Sequence, residues 1–202
     1  MSQPDFDQRF AEPGWAYGTE PNDFLRARVD EIPAGGDVLC LAEGEGRNAV
    51  FLATMGYAVT AVDRSVPGLE KAQRLATERG VPLVTRLADL ASFEIGVGRW
   101  DGIVSIFGHL PPDLRRTVHR AVVDGLRPGG VFILEAYSAA QLARRTGGPR
   151  SAELLMSVAD LREELAGLDL VVAHEVDREV FEGKYHTGLA SVVQVLARKP
   201  VG

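Results

Sequence analysis

The chain lacks most of the features that mark specialised protein classes. Its 202 residues include a single cysteine, Cys40, so it cannot staple itself internally and carries no disulfide framework of a secreted domain. It also lacks a basic surplus. Against 22 Lys and Arg stand 28 Asp and Glu, a formal net charge of −6, which disfavours a face built for many phosphate contacts and points to small molecules instead of nucleic acid. No apolar run is long enough to cross a bilayer, and the polar start "MSQPDFDQRF" has no apolar signal region, so no membrane partner and a cytoplasmic location are expected. No repeat or low-complexity tract is visible. What remains is an ordinary globular composition, 46% hydrophobic and 25% charged, expected to close one core as one domain over 1–202.

Short apolar runs alternate with stretches of helical period. "DVLCLA" (37–42), "AVTAVD" (58–63), "PLVTRL" (82–87), "DGIVSIF" (101–107) and "GVFILEAY" (130–137) read as buried strands, several nearly continuous in apolar character as a strand covered on both faces should be. Helices are expected at about 47–55, 67–79 and 112–126, the middle one started by Ser65 before Pro67. Strand and helix alternating in this way imply a doubly wound parallel sheet. After about Gly148 comes a helix near 158–166 and then two strand-like segments around the short "GKYHTG", which should pair antiparallel. Residues 1–35 read as an N-terminal cap with a loop and a helix started by Pro21 and Asn22 or Asp23, 36–137 as the core, and 138–202 as the part that completes the sheet.

The turn in "VLCLAEGEGRNAVFLA" is where chemistry is expected. A strand ending in a glycine turn that opens a helix presents backbone N–H groups at the C-terminal edge of the sheet, and Gly44 and Gly46 permit close approach of a ligand. Ala49 can supply the third small position of a dinucleotide fingerprint. Glu43 and Glu45, however, place two carboxylates where a pyrophosphate would be repelled and a cationic amino-acid end or sulfonium would not. Asp63 ends the next strand at the spacing of an acid that receives ribose hydroxyls, or serves as a helix cap; Asp89 ends the third, within reach of an adenine amino group or as a turn cap. Cys40 reads as a small buried strand residue, with nothing nearby in sequence to activate a thiolate.

Together these residues resemble the class I S-adenosylmethionine-dependent methyltransferases. "LAEGEGRN" is similar to their first motif, "VTAVDRS" to the ribose acid, "RLADL" to the adenine-side motif and "LRPGGVFILEAY" to the turn and fifth strand. "YGTEPNDFL" followed by "GEGRNAVFLA" is similar to the small bacterial enzymes related to tellurite-resistance and thiol methyltransferases. The resemblance implies an α/β, Rossmann-like doubly wound seven-stranded sheet, mostly parallel with an antiparallel last strand. It implies S-adenosylmethionine as cofactor, S-adenosylhomocysteine as product and no metal. It implies a cofactor site of Ala42, Glu43, Gly44, Glu45, Gly46, Arg47 and Asn48 on the turn, with Asp63 and Arg64, Asp89 and Leu90, Ile106 on the fourth strand, and Tyr17 from an N-terminal segment that closes over the cofactor. Where the superfamily commonly has Asp-Leu-Gly-Cys-Gly, this chain has Cys40-Leu41-Ala42-Glu43-Gly44, so the strand-end acid and first glycine are missing and Glu43 is the better candidate, over Glu45, to compensate.

The methyl acceptor is expected to be a small molecule, a thiol, an oxyanion of selenium or tellurium or another small nucleophile, bound by His109 after the fourth strand, Tyr137 at the end of the fifth, Arg144 in "QLARRTGGPR" beside Arg145, and His186 near Tyr185 in the last hairpin. Each has a bland alternative as cap, turn or solvated loop residue. A methyl sulfonium is reactive enough that a general base is optional, so no catalytic residue is assigned. The competing readings are an NAD-dependent oxidoreductase, which the turn glutamates disfavour, and a noncatalytic binder of S-adenosylmethionine or S-adenosylhomocysteine. The expected state is a monomer or homodimer.

Overall fold

In the computed structural model, which describes residues 6–144 and 146–202, seven strands form one sheet in the order β3-β2-β1-β4-β5-β7-β6. The strands are β1 (Asp37–Leu41), β2 (Ala58–Asp63), β3 (Val84–Leu87), β4 (Trp100–Ile106), β5 (Leu126–Tyr137), β6 (Asp169–Glu182) and β7 (His186–Arg198). The first five pair in parallel, and β7 runs antiparallel to both β5 and β6. Helices α1 (Phe6–Ala11), α2 (Asp23–Arg28), α3 (Arg47–Thr54), α4 (Val66–Arg79), α5 (Pro112–Gly125) and α6 (Val158–Glu164) complete the regular structure with three short 3-10 turns. Among the described residues no helix is long and apolar enough to cross a membrane.

The continuous apolar strands follow from cover on both faces. Leu39, Leu41, Ile103, Phe132, Leu134 and Val195 pack beneath α5 and α6 against Val118, Val122 and Leu161. The intervening Val38, Cys40, Val104, Ile133 and Leu196 pack on the other face against Leu25, Ile32 and Leu52. "PLVTRL" departs from this pattern: β3 is mostly exposed, with Leu87 at 59%, because it sits at the sheet's edge. Helix starts fall where their signals stood. The Ser65 hydroxyl accepts from Gly68 N at 3.3 Å, and Asn22 Oδ1 accepts from Leu25 N at 3.1 Å. Helix α1, with Phe10 buried, was not foreseen.

Candidate active site

The C-terminal ends of β1 and β2 are joined through the glycine turn. Gly44 N donates to Asp63 Oδ2 at 2.8 Å, and Ser65 N donates to Asp63 Oδ1 at 2.8 Å. Burial raises the Asp63 carboxyl above its ordinary value, against the backbone amides that favour its ionised form. Both turn glycines have left-handed backbones, φ 63° and 90°, and both are needed for packing. A Cβ on Gly46 would stand 2.6 Å from the Ala72 Cβ, and one on Gly44 would stand 2.9 Å from the Phe10 ring. Ala42, where the superfamily glycine would be, is also left-handed at φ 50°, a strained state for a residue with a Cβ.

The two turn glutamates do not present open negative charge, which corrects the argument drawn from them. Glu43 Oε1 accepts from Asn48 N at 2.9 Å and Ala49 N at 2.8 Å, capping α3, and the same carboxyl hydrogen-bonds the Cys40 thiol. Burial raises Glu43 to about 7, and the thiol is pushed well above its usual range by burial and by that carboxyl. Glu45 is turned away toward the N-terminal segment. Its Oε2 accepts from Ala16 N at 2.8 Å, and its Oε1 meets Lys71 Nζ at 2.7 Å in a buried ion pair. Lys71 also donates to the carbonyls of Glu12 (2.9 Å) and Gly14 (2.6 Å), while Lys184 N donates to Ala16 O at 2.8 Å. The segment that follows α1 is therefore held from α4 on one side and from the β6–β7 hairpin on the other.

Beyond the ends of β4 and β5 lies a cluster of rings. Phe107, strained at φ 54°, has its ring centroid 4.6 Å from Tyr137 and 4.7 Å from His186. Tyr17 lies 4.5 Å from His186, and His109 is stacked on Tyr137 at 5.5 Å with planes 12° apart. Glycines shape the cover over Tyr137: a Cβ on Gly148 would come within 2.6 Å of its ring, and one on Gly147 within 3.0 Å of its hydroxyl. Three polar atoms of this cluster, His109 Nε2, Tyr137 Oη and His186 Nδ1, are buried without a hydrogen-bond partner, as is Arg47 Nη1 close by. Such atoms are uncommon in a folded interior and mark places where a ligand or solvent completes the bonding. Burial lowers His109 to about 4 and raises Tyr137.

Behind the rings is a buried charge network. Arg178 bridges Glu135 and Glu182, Arg47 Nη2 donates to Glu182 Oε2 at 2.6 Å, and Asn22 Nδ2 donates to both carboxylates at 2.8 and 2.9 Å. Burial alone would raise the Glu182 carboxyl, but His186, Arg47 and Arg178 overrule it and hold it well below the usual range.

The structure brings Gly44, Gly46 and Asp63 together at one edge, with Ile106 buried at the end of β4. Asp89 is exposed and its Oδ1 accepts from Ala91 N at 2.8 Å, so it caps the turn that follows β3; Arg64 is exposed and Leu90 partly so. Arg47 and Asn48 turn inward, Arg47 to Glu182 and Asn48 to Asn22 N at 2.9 Å. Of the residues expected to bind the acceptor, His109, Tyr137 and His186 share the ring cluster. Arg144 does not join them: it donates to Ser191 Oγ at 2.6 Å and pairs with Asp177, held on the β6–β7 side. Arg145 lies outside the described residues. Sequence reasoning missed Phe107, Glu135, Arg178 and Glu182; a carboxylate inside the apolar run "FILEAY" was a readable sign of a buried network.

Comparison with known proteins accords with this arrangement. Residues 38–130 match a family model described as a methyltransferase domain. Over 160 residues, 78% of this chain and 68% of the relative, the chain is 28% identical to the 2-heptyl-1-hydroxyquinolin-4(1H)-one methyltransferase of Mycobacteroides abscessus. Among solved structures it resembles one from work on conversion of a disulfide bond into a thioacetal group during echinomycin biosynthesis, with TM-score 0.77 and 23% identity over 96% of this chain and 87% of that one. It also resembles TehB from Haemophilus influenzae, with TM-score 0.71 and 21% identity over 88% of this chain and 61% of that one. The matched stretch from β1 to the start of β5 and the curated relative support an S-adenosylmethionine-dependent methyltransferase, carried on a Rossmann-like seven-stranded sheet with an antiparallel β7.

Proposed function

We propose that this enzyme methylates a small, flat acceptor with an acidic heteroatom, seated among Tyr17, Phe107, His109, Tyr137 and His186. One observation carries the reading: three unpartnered buried polar atoms stand among rings at the sheet edge, so the cluster offers stacking surface and unused hydrogen-bonding capacity together. A bare oxyanion of selenium or tellurium would leave the rings uncovered, whereas an aryl thiol or hydroxylated heteroaromatic uses both. The quinolone-methylating relative, whose named substrate is a hydroxylated ring system, supports this choice.

The residues fit S-adenosylmethionine. Gly44 and Gly68 pack against one another and beneath the Phe10 ring beside Asp63, so the turn lies close against α4 and carries no side chain of its own at Gly44. In our reading Asp63, fixed by two backbone amides, receives the ribose hydroxyls, Asp89 and Leu90 flank the adenine, and the turn from Ala42 to Gly46 faces the amino-acid end. Arg47 and Asn48 act by holding the turn's helix in place, and Glu45 by holding the N-terminal segment closed. The cofactor supplies an electrophilic methyl carbon on a positively charged sulfur. The chain's own part is to exclude water, orient the acceptor against the rings and receive its proton. Calorimetric titration with S-adenosylmethionine and S-adenosylhomocysteine, repeated with Asp63→Ala, tests the cofactor half. A panel of hydroxyquinolines, aryl thiols, selenite and tellurite then tests the acceptor half, and preference for the oxyanions would overturn the reading.

A further inference from the structure

We infer that His109 is the catalytic base, its Nε2 accepting the proton that the acceptor's hydroxyl loses as it is methylated. This rests on the reading of the ring cluster as the acceptor pocket. His109 Nδ1 lies 2.9 Å from the carbonyl oxygen of Leu154. A carbonyl can only accept, so the hydrogen must be on Nδ1, and Nε2 presents a bare lone pair. That lone pair is buried and has no donor. The ring cannot turn away to find one, because it is bonded to Leu154 at one end and stacked on Tyr137 across its face.

The other candidate bases are committed elsewhere. Asp63 carries two backbone amides and Glu135 and Glu182 are bound by arginines; His186 Nδ1 is unpartnered like His109 Nε2, but it faces the Glu182 carboxylate at 4.0 Å, where a forming oxyanion would be repelled. The groups that act on His109 are the Leu154 carbonyl and, through space, His186 and Arg115, both of which discourage a positive charge on it. In the free enzyme burial pushes the imidazole to about 4, so Nε2 stays unprotonated and available at neutral pH; an oxyanion forming beside it draws the proton across. The acceptor's O–H bond breaks and an N–H bond forms at Nε2. The freed oxygen lone pair bonds the methyl carbon, and the electron pair of the bond that the methyl group leaves stays with its sulfur. The imidazolium then returns its proton to solvent.

The test uses substituted phenols as acceptors, from pentafluorophenol, ionised at neutral pH, to 4-methoxyphenol, which is not. His109→Asn keeps an amide N–H at the Nδ1 position for Leu154 but has no basic lone pair, and its melting curve checks that the fold is intact. The expected result is a loss in kcat on the order of 10²-fold or more with 4-methoxyphenol, and little change with pentafluorophenol. An equal loss across the series would make His109 a positioning residue and overturn the proposal while leaving the acceptor reading intact. Hydroxyquinolines of graded acidity are compared in the same way; methylation of no phenol and no hydroxyquinoline by the wild-type enzyme would overturn the base, and failure of the aryl thiols as well would overturn the acceptor reading. Nitrogen-15 NMR of the unliganded protein gives an answer independent of turnover: the Nδ1–H tautomer at neutral pH is required, and an Nε2–H tautomer would sink the assignment.

Discussion

The glycine turn and the ring cluster lie along the same sheet edge but treat polar atoms in opposite ways. At the turn each carboxylate has partners within the protein: Glu43 at the start of α3, Glu45 in Lys71 and the N-terminal segment, Asp63 in Gly44 and Ser65. In the ring cluster His109, Tyr137 and His186 each keep a buried atom with no partner. The first region is organised to hold its shape before anything binds, and the second keeps bonding capacity in reserve. The polar groups of a self-satisfied region contribute stability, whereas those of an unsatisfied one cost stability until a ligand completes them.

Substitutions can break this contrast. The largest effect should come from Glu182→Ala, which leaves Arg47 and Arg178 under-paired behind the rings; a loss of about 3–5 kcal/mol in urea unfolding is expected. Next is Glu45→Ala, expected to cost about 2 kcal/mol and to loosen residues 12–17, read as faster amide exchange at Ala16 and Tyr17. Ala42→Gly should gain about 1 kcal/mol by relieving the left-handed backbone, and a loss would show that the strain is offset locally. Tyr137→Phe should be the smallest: stability within about 0.5 kcal/mol of wild type, because an unpartnered hydroxyl is removed, with a raised KM for the acceptor.

The two sides also respond to pH with opposite sign. Glu43 is raised from 4.5 to about 7, so the folded protein holds a proton there that the unfolded chain has released, and this group's contribution falls as pH rises from about 4.5 to about 7. Glu182 is depressed, so its contribution is present above the ordinary carboxylate range and is lost as pH falls through and below it. Glu43→Gln should flatten the stability profile between those two values, and Glu182→Gln should flatten its acid limb; urea midpoints across pH read both.

The alternation of strands and helices, the turn and the strand-end acids were legible because they depend on local periodicity and punctuation. Residues that hold the site through long-range pairing were not. Nothing in the neighbourhood of Glu45 announces Lys71, and the exposure of β3 follows from its place at the edge of the sheet, which the run "PLVTRL" does not encode. The paired glycines 147 and 148 read as loop punctuation, while their role depends on Tyr137 lying directly beneath them. Arg144 was misplaced for the related reason that Asp177 and Ser191, which hold it, come much later in the chain.

Asn22 belongs at once to the start and the finish of the chain. It caps α2, donates its backbone N–H to Asn48 Oδ1, and bonds Glu135 and Glu182 through one amide nitrogen, the second of these 160 residues away. During synthesis at about 5–20 residues per second, Asn22 leaves the ribosome roughly 10 s or more before its last partner exists. The N-terminal segment can meet Glu45, Asn48 and Lys71 early, but its bonds to Glu135 and Glu182 wait for β5 and β6. The last of these bonds therefore closes late in the life of each new molecule, and until β6 is in place the Asn22 amide lacks its Glu182 partner.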